Sequence, residues 1–124
     1  MQQNRLPTGR RRVIYVCGPI RSKWPFVRYI NIWKARNVAV RLMKAGFTVI
    51  CPHLNSLFMG RVIDEDEIVR RDLELVRRSD FLAVIGKYWK SKGCCAELRE
   101  AWCHGIERVA KIDWIVENVA PIKD

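Results

Sequence analysis

The chain alternates short, unbroken apolar runs with longer stretches in which apolar residues recur every three or four positions. Val13-Ile14-Tyr15-Val16-Cys17, Phe47-Thr48-Val49-Ile50-Cys51 and Phe81-Leu82-Ala83-Val84-Ile85 are runs of strand length. Continuous runs of this kind belong to parallel strands buried on both faces, whereas a half-exposed strand would alternate apolar with polar residues. Gly18-Pro19, Pro52 and Gly86 close the three runs. Between the first two, Ile32, Ala35, Ala39 and Leu42 share one helical face, which predicts a helix from about Val27 to a stop at Gly46. A second helix is expected from near Asp64 to Asp66. Ile68, Val69, Leu73, Leu75 and Val76 form its buried stripe, and an acidic first turn and the basic end Arg77-Arg78 match the helix dipole. Leu98, Ala101, Trp102 and Gly105 predict a third helix starting near Gly93, with Ser91 as its N-cap. The stretch from His53 to Asp64 is expected to be an irregular connection. Val109 to Ile112 reads as a fourth strand and Trp114 to Val119 as a closing helix or strand. This alternation predicts one α/β domain over 13–124, a three-layer sandwich whose parallel sheet has the first strand between the second and third. Residues 1–12 are expected to form a flexible basic tail.

Length and composition narrow the class without naming a function. The chain has 124 residues, enough for one core without disulfide support, and no apolar run approaches the ~20 residues that span a bilayer. The N-terminal stretch is polar and arginine-rich without a signal-like apolar region, so a cytoplasmic location is expected. Five cysteines (17, 51, 94, 95 and 103) include no C-x-x-C pair and no zinc-finger spacing, which fits reduced thiols; neither a metal nor a cofactor is expected. Cys94 and Cys95 either act as small buried hydrophobes or have thiols activated by the helix start. The net charge of +10 favours anionic partners, but the cations are scattered among acids and no aromatic platform accompanies them, so a nucleic-acid partner is not expected.

In an open parallel sheet ligands bind at the carboxyl ends of the strands. Those ends are Gly18 to Arg21, Pro52 to Asn55, and Gly86 to Glu97, and Gly18, His53 and Ser91 are expected to converge there. The helix beginning near Gly93 offers unpaired N–H groups and a positive dipole end to an anion, and Glu97 lies about 6 Å farther along its axis. That is the reach from a 5′-phosphate to the anomeric carbon of a nucleotide; an ordinary capped helix with a solvated Glu97 satisfies the same spacing. Asp72 falls on the apolar side of the second helix, where it either pairs with an arginine such as Arg71 or faces a pocket with a raised pKa. Trp24, Phe26, Tyr29 and Trp33 crowd the start of the first helix, and Trp89 and Trp102 flank the Glu97 segment. They supply either a well-filled core or a subunit interface.

Taken in order, Tyr15-x-Cys17-Gly18-Pro19-Ile20-Arg21, Pro52-His53-x-Asn55, Asp72-Leu73, Ser79-Asp80 and Ser91-x-Gly93-x-x-x-Glu97-Leu98 resemble the nucleoside 2-deoxyribosyltransferase-like superfamily, over about Val13 to Gly105. The similarity extends to its 2′-deoxynucleoside 5′-phosphate N-hydrolases and to a branch of small members with Gly-Pro after the first strand. The resemblance implies a flavodoxin-like or Rossmann-like sheet and cleavage of an N-glycosidic bond. It implies Glu97 as nucleophile through a covalent glycosyl intermediate, Asp72 as a catalytic carboxylate near the departing base, and Tyr15 as the residue orienting nucleophile and sugar. Arg21, Ser91 and Gly93 would hold a 5′-phosphate, with Gly18, Pro19, Ile20, His53 and Asn55 lining the substrate site. The implied ligand is a nucleoside or its 5′-monophosphate, and the implied assembly a homodimer or larger. Where the nucleotide hydrolases carry glycines on either side of the nucleophile, this chain has Cys95 and Arg99, so a narrower sugar pocket is expected at Cys95. The helix start is expected to keep Glu97 ionised while Asp72 holds its proton more readily.

Overall fold

A parallel sheet of four strands runs through the middle of the molecule with helices on both of its faces. The computed structural model describes residues 10–19, 24–55, 62–105 and 108–123. In chain order the elements are β1 (Arg10–Arg11), β2 (Val13–Cys17), α1 (Pro25–Lys44), β3 (Thr48–Ile50), α2 (Pro52–Asn55), α3 (Glu65–Arg77), β4 (Phe81–Val84), α4 (Lys92–Cys103), β5 (Val109–Ala110), α5 (Ile112–Asn118) and β6 (Ile122–Lys123). The main sheet has the order β3-β2-β4-β5, with all its pairings parallel. The chain leaves β2, crosses through α1 to β3 on one side, then returns through α3 to β4 on the other, so the strand order reverses beside β2 and opens a crevice at its carboxyl end.

The period of two along each strand divides the core. Ile14, Val16, Phe81 and Ala83 pack with Ala35, Ala39 and Leu42 of α1 and Ile115 of α5. Tyr15, Cys17, Leu82 and Val84 face the other way, against Val76 of α3 and Cys94 and Ala101 of α4. Asp80 ties two strands together at their starts: Val13 N–H donates to its carboxylate at 2.7 Å, and Asp80 N–H donates to Val13 O at 2.8 Å. Gly46, at φ 102°, ends α1 in a conformation that a side chain would strain.

Several boundaries differ from those read along the chain, each for a local reason. α1 begins at Pro25, whose ring suits the first helical position. Its Phe26, Tyr29, Ile30 and Trp33 lie on the side opposite Ala35, Ala39 and Leu42, so the helix is apolar on two faces and only one faces the sheet. In α3, Val69 is exposed and Val76 is the fully buried residue. The connection after β3 opens with the short helix α2, where an irregular segment was expected. The helix-or-strand alternative after Val109 resolves into β5 followed by α5. Arg10 and Arg11, expected in the tail, instead pair antiparallel with Ile122 and Lys123. Arg11 also donates to Gly46 O at the end of α1, and Arg12 to Ala120 O at 2.6 Å, so cations of the supposed tail satisfy backbone carbonyls, including one at a negative helix end. Among the described residues, no helix is long and apolar enough to cross a membrane.

Candidate active site

The apolar run of β2 carries two polar atoms, and both point at α4. Tyr15 and Cys17 lie two residues apart on one face of the strand and are fully buried. Tyr15 Oη donates to Glu97 Oε2, while Cys17 Sγ lies 3.5 Å from Glu97 Oε1 and 3.8 Å from Cys94 O. The α4 start is built as its sequence suggests: Ser91 Oγ accepts from Cys94 N–H at 3.3 Å, and Cys95 N–H donates to Ser91 O at 3.0 Å. One further turn of helix brings Glu97, half-buried, over the end of β2.

Burial governs the charges here. Desolvation pushes the Glu97 carboxyl up to about 7, with the Asp72 charge acting in the same direction and the hydrogen bonds from Tyr15 and Cys17 opposing it. Asp72 is pushed up to about 6 by desolvation. The expected contrast between the two is therefore absent, since burial raises both carboxyls. The dipole of α4 does not hold Glu97 in the ordinary carboxylate range, because removing the carboxylate from water outweighs a helix-end contribution of about 0.3–1 kcal/mol. Burial, followed by the charge and hydrogen bond of Glu97, raises the Tyr15 phenol well above its ordinary value, so it remains a proton donor to the carboxylate. The thiol pair is split: the Cys17 thiol is raised, first by its hydrogen bond with Cys94 and then by burial, whereas Cys94 is lowered as the accepting partner.

Asp72 resolves the alternative left open by its position. Arg71 is engaged by Glu67, and Asp72 lines, together with that ion pair, a cavity of about 480 Å³ whose other walls include Asn55, Ile63, Asp64, Ile68 and Leu75. Asn55 and Asp72 thus meet across one space, while Glu97, Tyr15 and Ser91 do not line it; Asp72 is linked to them by its charge, which raises both Glu97 and Tyr15. His53 is buried, and its Nε2 lies 3.2 Å from Pro19 O. Burial lowers its pKa, so the neutral ring donates from Nε2, and its Nδ1 has no hydrogen-bond partner among the described residues. This contact joins the ends of β2 and β3. Gly18 is required by packing, since a Cβ there would stand 2.3 Å from Ile85 Cγ1. Gly93 has room for a side chain, the nearest atom to a built Cβ being Ser91 Oγ at 3.8 Å.

Ile20 and Arg21 lie outside the described residues, as do Ser56 and Gly60 of the connection before α3. Cys95 is exposed, with its Sγ 3.5 Å from Trp89 O, and Arg99 is exposed as well. Cys95 thus does not share the buried position of Cys94. Cys17 is the site residue that motif reading passed over as a candidate; strand alternation carries the signal, because any residue two places from Tyr15 shares its face.

No family model matches the chain, and no curated protein matches it by sequence. Among solved structures, the fold is similar to that of a 2-deoxyribosyltransferase from the psychrotolerant bacterium Bacillus psychrosaccharolyticus. The TM-score is 0.56 and the identity 21%, over 79% of this chain and 70% of that one. The two share a mixed α/β architecture with a parallel sheet between helices.

Proposed function

We propose that the chain cleaves the N-glycosidic bond of a nucleoside 5′-monophosphate, with Glu97 attacking the anomeric carbon to form a covalent glycosyl intermediate that water then hydrolyses. The observation that carries this reading is the Glu97 carboxylate, fixed on one oxygen by the buried Tyr15 hydroxyl at the carboxyl end of the central strand, within electrostatic reach of a second carboxylate. A two-step displacement with retention needs one carboxylate as nucleophile and a second group to move a proton to and from the departing base. Asp72, partly desolvated in its cavity, takes that second role. Ser91 and the first N–H groups of α4, together with Arg21, receive the phosphate. Gly18, Pro19, Ile20, His53 and Asn55 complete the substrate site in this reading.

A second acceptor in place of water gives the transferase version of the same chemistry, and the 2-deoxyribosyltransferase fold similarity favours it. Incubating the protein with a panel of nucleosides and monophosphates, with and without a free base, separates the two. Released base without an acceptor supports hydrolysis, exchange only in its presence supports transfer, and neither product refutes the proposal. We also infer a homodimer or larger assembly. Trp24, Phe26, Tyr29, Trp33, Trp89 and Trp102 are all more than half exposed, with four of them clustered at the start of α1. A monomeric mass by light scattering at micromolar concentration would count against it.

A further inference from the structure

We propose that Cys17, Cys94 and Glu97 form a three-ligand site for a thiophilic divalent cation of the zinc class, which captures the Glu97 carboxylate when it binds. The two sulfurs and a Glu97 oxygen all lie within 4.8 Å of one another. A tetrahedral zinc, with Zn–S about 2.3 Å and Zn–O about 2.0 Å, needs ligand-to-ligand separations of about 3.5–3.8 Å. The Cys17 Sγ to Glu97 Oε1 separation is already 3.5 Å, and Cys94 Sγ lies within 4.8 Å of both donors.

The surroundings orient the donors. Tyr15 holds Glu97 by Oε2, which leaves Oε1 toward Cys17, the kind of outer contact that fixes a ligating carboxylate. The Ser91 cap anchors the turn that carries Cys94. Both cysteines are fully buried, one on β2 and one in the first turn of α4, so packing already confines their side chains. Two sulfurs and one oxygen suit zinc or a similarly soft ion and do not suit magnesium or calcium, which take oxygen ligands. The fourth position has no protein donor in this set and is left to water or another small ligand. Binding forms two metal–sulfur bonds and one metal–oxygen bond and breaks the ion's bonds to the coordinated waters that these ligands displace into solvent. Both thiol protons leave to solvent, as does the Glu97 proton in the fraction that carries one, so affinity rises with pH. None of this requires Glu97 to act on a sugar.

The test uses the full chain with the exposed thiols removed (Cys95→Ser with Cys103→Ser), stripped by a chelator and titrated with zinc(II) by calorimetry and with cobalt(II) by absorption. The expected result is one ion per chain, proton release on binding, and a thiolate-to-cobalt charge-transfer band with tetrahedral cobalt features. Adding Cys94→Ser should weaken zinc by an order of magnitude or more and diminish that band. The isosteric Glu97→Gln should weaken zinc while keeping the thiolate band, which a merely misfolded variant would not do. Circular dichroism of each metal-free variant identifies any loss of fold. A folded parent without the cobalt–thiolate band, or zinc affinity unchanged by both Cys94→Ser and Glu97→Gln, overturns the proposal.

Discussion

The two faces of the central sheet are built from the same strands and hold opposite contents. On the face toward α1 and α5, β2 and β4 present Ile14, Val16, Phe81 and Ala83 to Ala35, Ala39, Leu42 and Ile115, a core cluster that buries no carboxyl and whose Cys51 thiol is pushed up by burial and held neutral. On the face toward α3 and α4, neighbouring positions of the same strands present Tyr15 and Cys17 beside Leu82 and Val84, and Glu97 and Asp72 approach from the helices. A single residue step along β2 therefore separates dry packing from chemistry. The first face stabilises the sheet by burial alone. The second gives up part of that stability by holding carboxyls away from water, and in return holds them at raised pKa values where protons exchange near neutrality.

The largest expected effect is on the chemical face. Glu97→Gln should lower turnover on the order of 10⁴-fold or more, as removal of a nucleophile does, with the fold kept. It also tests the cost of burial. A carboxyl whose folded pKa is about 7, raised from the ordinary value, gives a folded state that binds more protons than the unfolded one, so its contribution to stability falls as pH rises through that window. Glu97→Gln should therefore be more stable than the parent at pH 8 and nearly equal to it near pH 4. Denaturant midpoints at both values in a chelating buffer check this, and a variant destabilised equally at both would remove the argument.

Asp72→Asn should slow release of poor leaving bases by roughly 10²–10⁴-fold and good ones much less, because proton help matters where the base needs it. In the parent, carboxyls at about 6 and about 7 predict a narrow bell-shaped rate profile between those values. One limb should disappear in Asp72→Asn. A flat profile in the parent would separate these carboxyls from the rate.

Leu42→Ala lies on the other face and should cost about 2–5 kcal/mol of folding stability, since Leu42 is fully buried in the apolar cluster. The folded fraction should keep its turnover and its pH profile. A shifted profile would mean that the two faces are coupled through the strands, against the division drawn above.

The division between faces was half legible along the chain. The continuous runs around Ile14 and Ala83 located β2 and β4, because burial on both sides of a sheet leaves little polar to interrupt a run; the run around Val49 located β3, which is an edge strand with Thr48 exposed, and the Ala35-Ala39-Leu42 spacing located α1. The placement of Glu97 one turn into a helix capped by Ser91 was equally legible. What lay beyond sequence was pairing at long range: Arg10 and Arg11 find Ile122 and Lys123 more than a hundred residues away, and two-residue strands have no periodicity to detect. α2 is a single turn behind Pro52 and too short to carry a pattern. The raised pKa of Glu97 lies beyond sequence for a related reason. A helix dipole can be inferred from position in the chain, whereas burial against Tyr15 and Cys17 exists only once β2 and α4 have packed.

The smallest effect sharpens the boundary between fold and function at one hydroxyl. Ser91 Oγ accepts from Cys94 N–H, which uses a lone pair and leaves the hydroxyl hydrogen free to donate to a phosphate oxygen in the proposed complex. Ser91→Ala removes both roles. It should cost about 1 kcal/mol of stability, as loss of an N-cap does, and should weaken a monophosphate relative to its nucleoside. Ser91→Gly separates the roles, because glycine at an N-cap costs only about a few tenths of a kcal/mol while supplying no hydroxyl. A hydrogen bond to a charged group is worth about 1.5–3 kcal/mol, so Ser91→Gly should stay near parental stability yet lose roughly tenfold in monophosphate affinity, with nucleoside affinity unchanged. Calorimetry with the two ligands, read beside a denaturant titration, checks both halves. Equal monophosphate affinity in Ser91→Gly and the parent would restrict Ser91 to its helix and remove it from the proposed phosphate site.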